Sequence, residues 1–473
     1  MSPAPLESAT AAGAPPARTL RAPRRAPSDL TFSIDEALVE SWAADEPDWL
    51  TADRRAALAR ARDLPIEKNQ LYTTYVDLRT ADLSEVHAWP EPAGAPDPDA
   101  APGEGVPADV AAWASIVEDR VEALVLSEEA RSAGVVLDTL GGLIARDPDL
   151  ARRLIADERS LPHDDKLAQL TRTGWNQGLV VHVPAGVRLS EPIVLRWAVG
   201  AGGHALLTRT IVDLAEGASA EIVEELEGSP AAAHRGDAQA LFTGSLEVHL
   251  AKDAELRVAS IQDLPDGTVA FQHRQAEIGE GASLHWALAQ LGARLVRSRV
   301  DNRLAGDRSS VEQVEIVFGA EDQLFDLTSY TRHIGRDTTG NLLSKAALLD
   351  ATRSYMKGLI VIEPTAVGTD SFLGEFGMNL SKQARAVAIP SLEIDQPDCR
   401  RAAHSSSVGP IDETQLFYLE SRGIAPEEAR KMIVLGFLEP VVARVPLTAA
   451  RDRLRELLSA KWDEGFATVE PAA

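Results

Sequence analysis

The residues best suited to metal chemistry lie near the C-terminus, between Ser391 and Phe437. This stretch contains the only cysteine of the chain, Cys399, and a histidine, His404, in a loop of small residues. Thiolate and imidazole groups are both ligands of soft or borderline metals. Two side chains are too few to enclose a metal ion, since closed protein sites take about four ligands. The pair therefore predicts part of a metal site at most.

Each of these two residues also has an ordinary structural interpretation. A loop histidine commonly bonds to backbone or water, and a lone cysteine is commonly a packing or surface residue. Arg400 and Arg401 beside Cys399 would lower the pKa of its thiol and favour the thiolate. The residue types alone leave the ligand and the structural interpretations open.

Helices are predicted directly after this loop. Asp412 with Gln415 three positions later has the pattern of a capping box. The first helix would end at Gly423, and Pro426 would open the second. A last amphipathic helix is predicted from Leu447 to Trp462. The apolar stripe of the second helix is predicted to consist of Ala429, Met432, Ile433, Gly436 and Phe437.

Composition and charge argue against several classes of partner. The chain has 473 residues and a net charge of -25, whereas nucleic-acid binding needs a cationic surface. The longest uncharged apolar run near the C-terminus, Met432–Leu438, is far too short to span a membrane. A single cysteine allows no internal disulfide, which predicts a reducing compartment and a cytoplasmic location.

The N-terminal third is predicted to comprise a tail and a helical region. Residues 1–32 are rich in Ala, Pro and Arg and lack an apolar segment, which predicts a disordered tail, with an organellar transit peptide as the alternative. Residues 33–172 are predicted to be helical around a Pro/Gly-rich insert at 91–107. Helix is predicted for Ala108–Asp157 from the spacing of Val121, Leu124 and Val125.

Residues 173–410 are predicted to form a β-rich core built of repeats. A Gly/Asp turn, a corner residue and alternating apolar residues recur at intervals of 36, 28 and 26 residues, and the aligned corner positions are Ala218, Ala254, Ala282 and Arg308. Such intervals are typical of stacked structural repeats. The pattern predicts a β-solenoid or an elongated sandwich, with an open edge that a cap or partner must cover.

Specific motifs between about residues 350 and 440 resemble the SufB/SufD family of iron–sulfur cluster assembly scaffolds, and its SufD branch in particular. The family's Leu-Phe-Tyr-Leu-x-Ser-Arg-Gly-Ile run is found at 416–424, and its Pro-x-Leu-Glu-Ile run at 390–394. Its aromatic-x-x-Gly-x-Ile segment is similar to 355–360. The cysteine-rich segments of the SufB branch have no counterpart in this chain.

The resemblance implies a mainly β fold, with a right-handed parallel β-helix core flanked by N-terminal and C-terminal helical regions. It implies a non-catalytic subunit that pairs edge to edge with a SufB-like scaffold chain. The C-terminal helices, residues 411–473, would dock a SufC-like ATPase. No Gly-x-x-x-x-Gly-Lys-Ser/Thr phosphate loop is present in the sequence, so ATP chemistry would belong to that partner.

The resemblance also implies site residues. His404 matches the family's histidine before a Val-Gly pair, which implies an iron or cluster ligand at the SufB interface. Cys399 is the weaker candidate, because the family places its cysteine two residues before the histidine and Ala402 stands there instead. Iron or a cluster would be held transiently in the complex, with no cofactor bound stably by this chain alone. The implied partner-binding residues are Leu416, Phe417, Tyr418, Arg422, Gly423, Met432 and Phe437.

Two other functions stay open on the sequence. The chain could be a purely structural platform that contacts no metal. It could also be a β-helix enzyme acting on polysaccharide, but that class usually carries a secretory signal and a cleft lined by carboxylates, and the N-terminus has no apolar signal segment.

Overall fold

The structure is a computed structural model that describes residues 30–66, 78, 80–89, 106–107, 109–156 and 161–467. The predicted tail, residues 1–32, lies outside these residues except for its last three, and the insert at 91–107 lies outside except for its last two. The helices of the described residues are α1 (Glu36–Trp42), α2 (Asp48–Asp63), α3 (Glu128–Ser132), α4 (Leu140–Arg146), α5 (Pro148–Ile155), α6 (Lys166–Gly174), α7 (Glu413–Ser421), α8 (Pro426–Val442) and α9 (Thr448–Ala467).

The described strands form two long sheets. The strands are β1 (His87–Ala88), β2 (Ala112–Val117), β3 (Arg120–Leu126), β4 (Val136–Thr139), β5 (Gln177–Val183), β6 (Ile193–Val199), β7 (His204–Leu214), β8 (Ser219–Gly228), β9 (Ala240–Leu250), β10 (Glu255–Asp263), β11 (Thr268–Ile278), β12 (Ser283–Gln290), β13 (Leu295–Leu304), β14 (Ser310–Gly319), β15 (Leu324–His333), β16 (Thr339–Leu348), β17 (Arg353–Ile362), β18 (Asp370–Asn379), β19 (Arg385–Ile394) and β20 (Arg401–Gly409).

From β5 onward the chain alternates between the two sheets, two strands to a coil, in a parallel β-solenoid. The first sheet runs β19-β17-β15-β13-β11-β9-β7-β5-β4, and the second runs β20-β18-β16-β14-β12-β10-β8-β6-β2-β3. All neighbouring strands from β5 to β20 pair in parallel, for example Glu315 with Ser344 and Ser344 with Glu375. The prediction of a parallel β-helix core is confirmed, and the elongated sandwich is ruled out.

Small residues at one corner explain how the coils stack. Ala218, Ala254 and Ala282 directly precede strands that are in register, and each is fully buried. The fourth predicted corner residue, Arg308, is wrong by one position, because Ser309 precedes the matching strand and is the buried residue. Arg308 instead has a positive φ of 59° and pairs with Glu280 at the surface. A larger side chain at the corner would separate consecutive coils.

Helices cover the outer faces of both sheets. The N-terminal helices pack on the first sheet, where Leu58 and Leu170 join one cluster with Leu207. The C-terminal helices pack on the second sheet, where Leu438 and Leu458 join Ile316. Strands covered on both faces are apolar on both faces, which is why the middle of the solenoid is buried almost continuously.

The predicted helix at Ala108–Asp157 is wrong for its first half. Residues 112–126 form the antiparallel hairpin β2–β3, and Val121, Leu124 and Val125 lie on a strand. The chain reverses at Glu118, which has a positive φ of 53°. The Glu118 carboxylate accepts a hydrogen bond from the Ala201 backbone N–H at 2.9 Å, so the hairpin is anchored to the solenoid at its turn. The antiparallel strands β3 and β4 thus close the N-terminal end of the two sheets.

Candidate functional site

The C-terminal end of the solenoid is its open end. Strands β19 and β20 end the two sheet orders, so each has one edge without a neighbouring strand among the described residues. No residue of β20 is buried, whereas its neighbour β18 buries five of its ten residues. Ile394 is 45% exposed and Val408 is 40% exposed at this end. The last coil, Arg385–Gly409, is called the open coil below.

His404 lies in the middle of the open coil, on strand β20 and not in a loop as predicted, and it is exposed. It pairs in register with Leu373 of β18, whose side chain packs inside the solenoid against residues such as Leu342 and Ile360. In-register residues of neighbouring strands share a face, so His404 is on the interior face at the open end. Its imidazole forms no hydrogen bond or ion pair with the described residues, so the ring is available to a ligand.

Cys399 lies at the corner before β20 and is half-buried. It packs against the apolar cluster that contains Ile362 and Ala366. The strand rise of about 3.3 Å per residue puts His404 about 10 Å beyond Arg401, where β20 begins, and Cys399 lies still further back. The structure therefore does not bring Cys399 and His404 together as neighbouring ligands.

The arginines beside Cys399 are paired with carboxylates. Arg400 bonds to Asp337, and the Arg401 Nε atom donates to the Asp370 Oδ1 atom at 2.6 Å. Among the described residues, no three His, Cys, Asp or Glu side chains converge as a metal site. The open coil therefore offers one accessible imidazole, and other ligands would have to come from elsewhere.

Sequence reasoning missed a buried carboxyl group directly beneath this coil. Glu375 on β18 is 1% exposed and pairs in register with Ser406 of the open coil. Its Oε2 atom accepts a hydrogen bond from the Ile389 N–H at 2.8 Å. Burial raises the pKa of Glu375 to about 8, although hydrogen bonds from the backbone of Ile389 and Gly358 oppose the shift. The detectable signal was a glutamate two positions after Leu373, at the inward phase of an alternating strand.

The second exposed apolar surface is on the C-terminal helices. Helix α7 buries none of its residues, and Phe417 is 71% and Tyr418 56% exposed. Met432 of α8 is 46% exposed. The Arg422 guanidinium lies 5.1 Å from the centre of the Tyr418 ring. Gly423 has a positive φ of 90° and ends this helix as predicted, because a left-handed residue there favours glycine. Phe417, Tyr418 and Met432 are called the helical patch below.

Two other predicted docking residues lie partly inside the fold. Leu416 and Phe437 are both half-buried. The Phe437 ring lies 4.6 Å from the Lys345 Nζ atom, and that ammonium donates to the Phe437 carbonyl at 2.9 Å. Burial lowers the pKa of Lys345. Phe437 therefore fastens α8 to the second sheet, and we leave it out of the helical patch.

The predicted apolar stripe of α8 is confirmed for Ala429, which is buried, and for Phe437, which packs partly buried on the second sheet, whereas Met432 and Gly436 are exposed. The residues that α8 buries are Ala429, Val434, Leu438, Val441 and Val442. The helix carries apolar residues on more than one side, and helical spacing alone indicated the side that includes Met432. In the structure, the side that includes Val434 and Leu438 packs against the second sheet. The last predicted helix is confirmed, with Ala450, Leu454, Leu458 and Trp462 buried.

Within the described part of the chain, no helix is both long enough and apolar enough to cross a membrane.

Comparison with known proteins shows the family. Residues 197–437 match the family model "SUF system FeS cluster assembly, SufBD core domain". The chain is 26% identical over 443 residues to the iron–sulfur cluster assembly protein SufD of Bacillus subtilis, covering 91% of this chain and 98% of that protein. It is 25% identical over 325 residues to an iron–sulfur cluster assembly SufBD family protein of Staphylococcus epidermidis, covering 69% of this chain and 68% of that protein. A Staphylococcus aureus protein of the same description matches at 25% identity over 325 residues. The chain, with its parallel β-solenoid and open C-terminal coil, belongs to the SufBD family of the SUF iron–sulfur cluster assembly system.

Proposed function

We propose that this chain is a non-catalytic scaffold subunit that pairs with a SufB-like chain through its open coil and docks a SufC-like ATPase through its helical patch. One observation carries the proposal. The large apolar side chains that are exposed in the described part of the chain are all in these two surfaces, namely Ile394, Val408, Phe417, Tyr418 and Met432. Exposed apolar surface of this kind is typical of sites that a partner covers.

The open coil suits pairing with another β-solenoid. A strand edge with free N–H and C=O groups is a template for a further strand. Strands β19 and β20 offer two such edges on one coil, so a partner coil of the same width can extend both sheets at once. Such pairing would bury Ile394 and Val408 and complete the backbone hydrogen bonds of both edges.

The helical patch suits docking of a separate globular protein. Helix α7 contacts the rest of the fold mainly through α8, so its exposed face is held in place without being buried. Aromatic residues such as Phe417 and Tyr418 supply much of the binding energy in protein interfaces. An ATPase bound here would lie beside the solenoid and leave the open coil free for the SufB-like chain.

Iron or a nascent cluster is the cargo in this proposal. His404 would supply one imidazole from the open coil, and thiolates of the SufB-like chain would supply the remaining ligands, since clusters are usually held by about four protein ligands. Cys399 has a secondary place, because it packs in a corner away from His404. The family match favours this scaffold role over a polysaccharide-acting enzyme.

The test is reconstitution of the complex with His404→Ala. We expect unchanged co-purification with the SufB-like chain and the ATPase, and a lower yield of cluster measured by visible absorption and bound iron and sulfide. His234→Ala is the matched control, because its side chain is also exposed, at 73%, but it precedes β9, which four strands separate from β19 in the first sheet. An unchanged cluster yield in His404→Ala would leave a structural platform without metal contact. If the wild-type chain co-purified with neither the SufB-like chain nor the ATPase, the whole proposal would be overturned.

A further inference from the structure

A network of hydrogen-bonded, buried polar side chains crosses the interior of the solenoid. The proposed scaffold role gives these side chains no function. It begins with Glu224, which accepts hydrogen bonds from Ser260 at 2.6 Å and from Arg274 at 3.1 Å. Arg274 also donates to the Gln272 amide oxygen at 3.0 Å. Gln290 donates to that same oxygen at 3.2 Å. Each of these side chains points inward, between the two sheets.

The network ends at Glu315, whose side chain is fully buried. One carboxyl oxygen of Glu315 accepts hydrogen bonds from Gln290 at 3.2 Å and from Ser298 at 2.9 Å. The other oxygen, Oε2, has no hydrogen-bond partner among the described residues. A buried carboxyl oxygen without a partner is costly, so its neighbourhood requires a further donor.

The register of the second sheet leads from Glu315 to the open coil. Glu315 pairs with Ser344, Ser344 pairs with Glu375, and Glu375 pairs with Ser406. These residues share the inward face, because in-register residues of neighbouring strands do. Ser344 is 4% exposed and Glu375 is 1% exposed. A column of hydroxyl and carboxyl groups thus runs along the axis of the solenoid to its open end.

The spacing along this column suits water as the connecting group. Neighbouring strands lie about 4.8 Å apart, so Glu315 and Glu375 are about 10 Å apart, too far for a direct hydrogen bond. At the other end of the network, Gly244 and Arg274 line an interior cavity of about 10 Å³, which is the volume that about one water molecule needs. Further buried atoms without a partner in the described structure surround the network, namely Gln272 Nε2, Arg274 Nε and Gln290 Oε1.

We propose that the solenoid interior binds a file of ordered water that continues the network from Glu315 past Ser344 to Glu375, and that this file carries protons to the underside of the open coil. Each hop breaks one O–H bond and forms another, so no co-reactant is consumed. Gly358 leaves room at the outer end, because a Cβ atom there would lie 2.9 Å from the Glu375 Oε1 atom.

The charge of the two carboxyl groups agrees with this role. Burial raises the pKa of Glu315, with Arg274 and the Ser298 and Gln290 hydrogen bonds opposing the shift. Burial likewise raises the pKa of Glu375. A carboxyl group with a raised pKa can hold a proton near neutral pH and release it to a neighbouring acceptor. The charge of Arg274 is balanced by Glu224 at 3.1 Å, so Glu315 is left to act as the proton-holding group.

The experiment follows deuterium exchange of the Glu315 carboxyl proton by infrared spectroscopy of the isolated chain. Spectra of wild type and Glu315→Gln are compared at the lowest pH at which the fold persists. The carboxyl carbonyl band that is present in wild type and absent in Glu315→Gln is assigned to protonated Glu315. On transfer to D2O this band is expected to shift within seconds in wild type. Ser344→Val and Glu375→Leu both place apolar groups in the column, and each is expected to slow the shift by on the order of 100-fold, since exchange then depends on local opening of the core.

Ser354→Val is the matched control. Ser354 is a fully buried serine of the neighbouring strand β17, but it lies in register with Phe325 and Ala386 and outside the column. We expect wild-type exchange in this variant, with thermal melting and circular dichroism checking the fold of all variants. Equal exchange rates in wild type, Ser344→Val and Glu375→Leu would refute the proposal, as would a Glu315 band that exchanges in wild type only on unfolding. Cluster yield is not a readout here, so this test is independent of the proposed scaffold role.

Discussion

Replacing Phe417 by alanine is expected to weaken ATPase docking while leaving the fold intact. Phe417 is 71% exposed, so docking can cover about 140 Å² of a phenylalanine surface of roughly 200 Å². At about 25 cal/mol per Å² this is worth about 3.5 kcal/mol if the ring is fully covered. Alanine keeps the Cβ atom and covering is incomplete, so we expect a loss of about 2 kcal/mol, or about a 30-fold higher Kd.

The assay is calorimetric titration of the ATPase into wild-type chain and Phe417→Ala, with urea unfolding of each chain alone. Helix α7 buries no residue, so the urea midpoint is expected to stay the same. Leu454→Ala provides the opposite case, because Leu454 is fully buried in α9 and its truncation should cost about 2–5 kcal/mol of stability.

A matched apolar surface residue separates docking from general loss of hydrophobic area. Ile394→Ala removes a side chain that is 45% exposed on the open coil, so ATPase affinity should not change while pairing with the SufB-like chain weakens. The reasoning is refuted if Phe417→Ala binds the ATPase as tightly as wild type, or if Ile394→Ala weakens that binding to the same extent.

Two further predictions concern the stability of the fold. Arg209 and Glu247 form a bidentate ion pair at 2.7–2.8 Å with both side chains fully buried. Arg209→Met leaves the Glu247 charge buried and unpaired, so it should lower the free energy of urea unfolding by about 3–5 kcal/mol, and the double variant Arg209→Met/Glu247→Leu should recover most of that loss. Equal losses in the single and the double variant would contradict this. Burial lowers the pKa of His333 from 6.5 to about 4, so the unfolded chain takes up the proton first. Stability therefore falls as pH drops from about 6.5 to about 4, by at most about 3.4 kcal/mol. His333→Asn should flatten this part of the profile, measured as melting temperature against pH, and a parallel profile would count against the interpretation.

The sequence predicts the stacked coils because their signal repeats. A small buried corner residue such as Ala218 or Ala254 recurs in successive coils, and the aligned copies reinforce each other even where one is shifted, as at Arg308. The helix-ending Gly423 was also predictable, since its role depends only on its own backbone geometry. These features are local or periodic, and so they can be detected without knowledge of the fold.

Features that depend on contacts distant in sequence were missed. Val121 and Val125 have helical spacing, but Glu118 turns the chain back and the hairpin is held by the solenoid, so tertiary contacts override the local pattern. Glu224 is a second example, because it is 7% exposed and bonds to Arg274, fifty residues later in the chain. Alternation can indicate which polar residues of a strand point inward, as at Glu375, but the partner that such a residue meets across the core, here Arg274, follows only from the fold.

The solenoid is closed at its N-terminal end and open at its C-terminal end, so strand pairing with a partner is possible only at the C-terminal end. At the N-terminal end, β2 extends the second sheet in parallel with β6, and the antiparallel strands β3 and β4 close the two sheets. At the C-terminal end no such cap is present in the described structure, and the apolar Ile394 and Val408 stay exposed. Exposed strand edges with apolar side chains invite aggregation unless they are covered. A partner that covered this coil would remove that exposure, and the same partner would then enclose His404 and the outer end of the Glu315–Glu375 column. Pairing, ligand supply and proton access would therefore all be controlled at a single surface, the open coil.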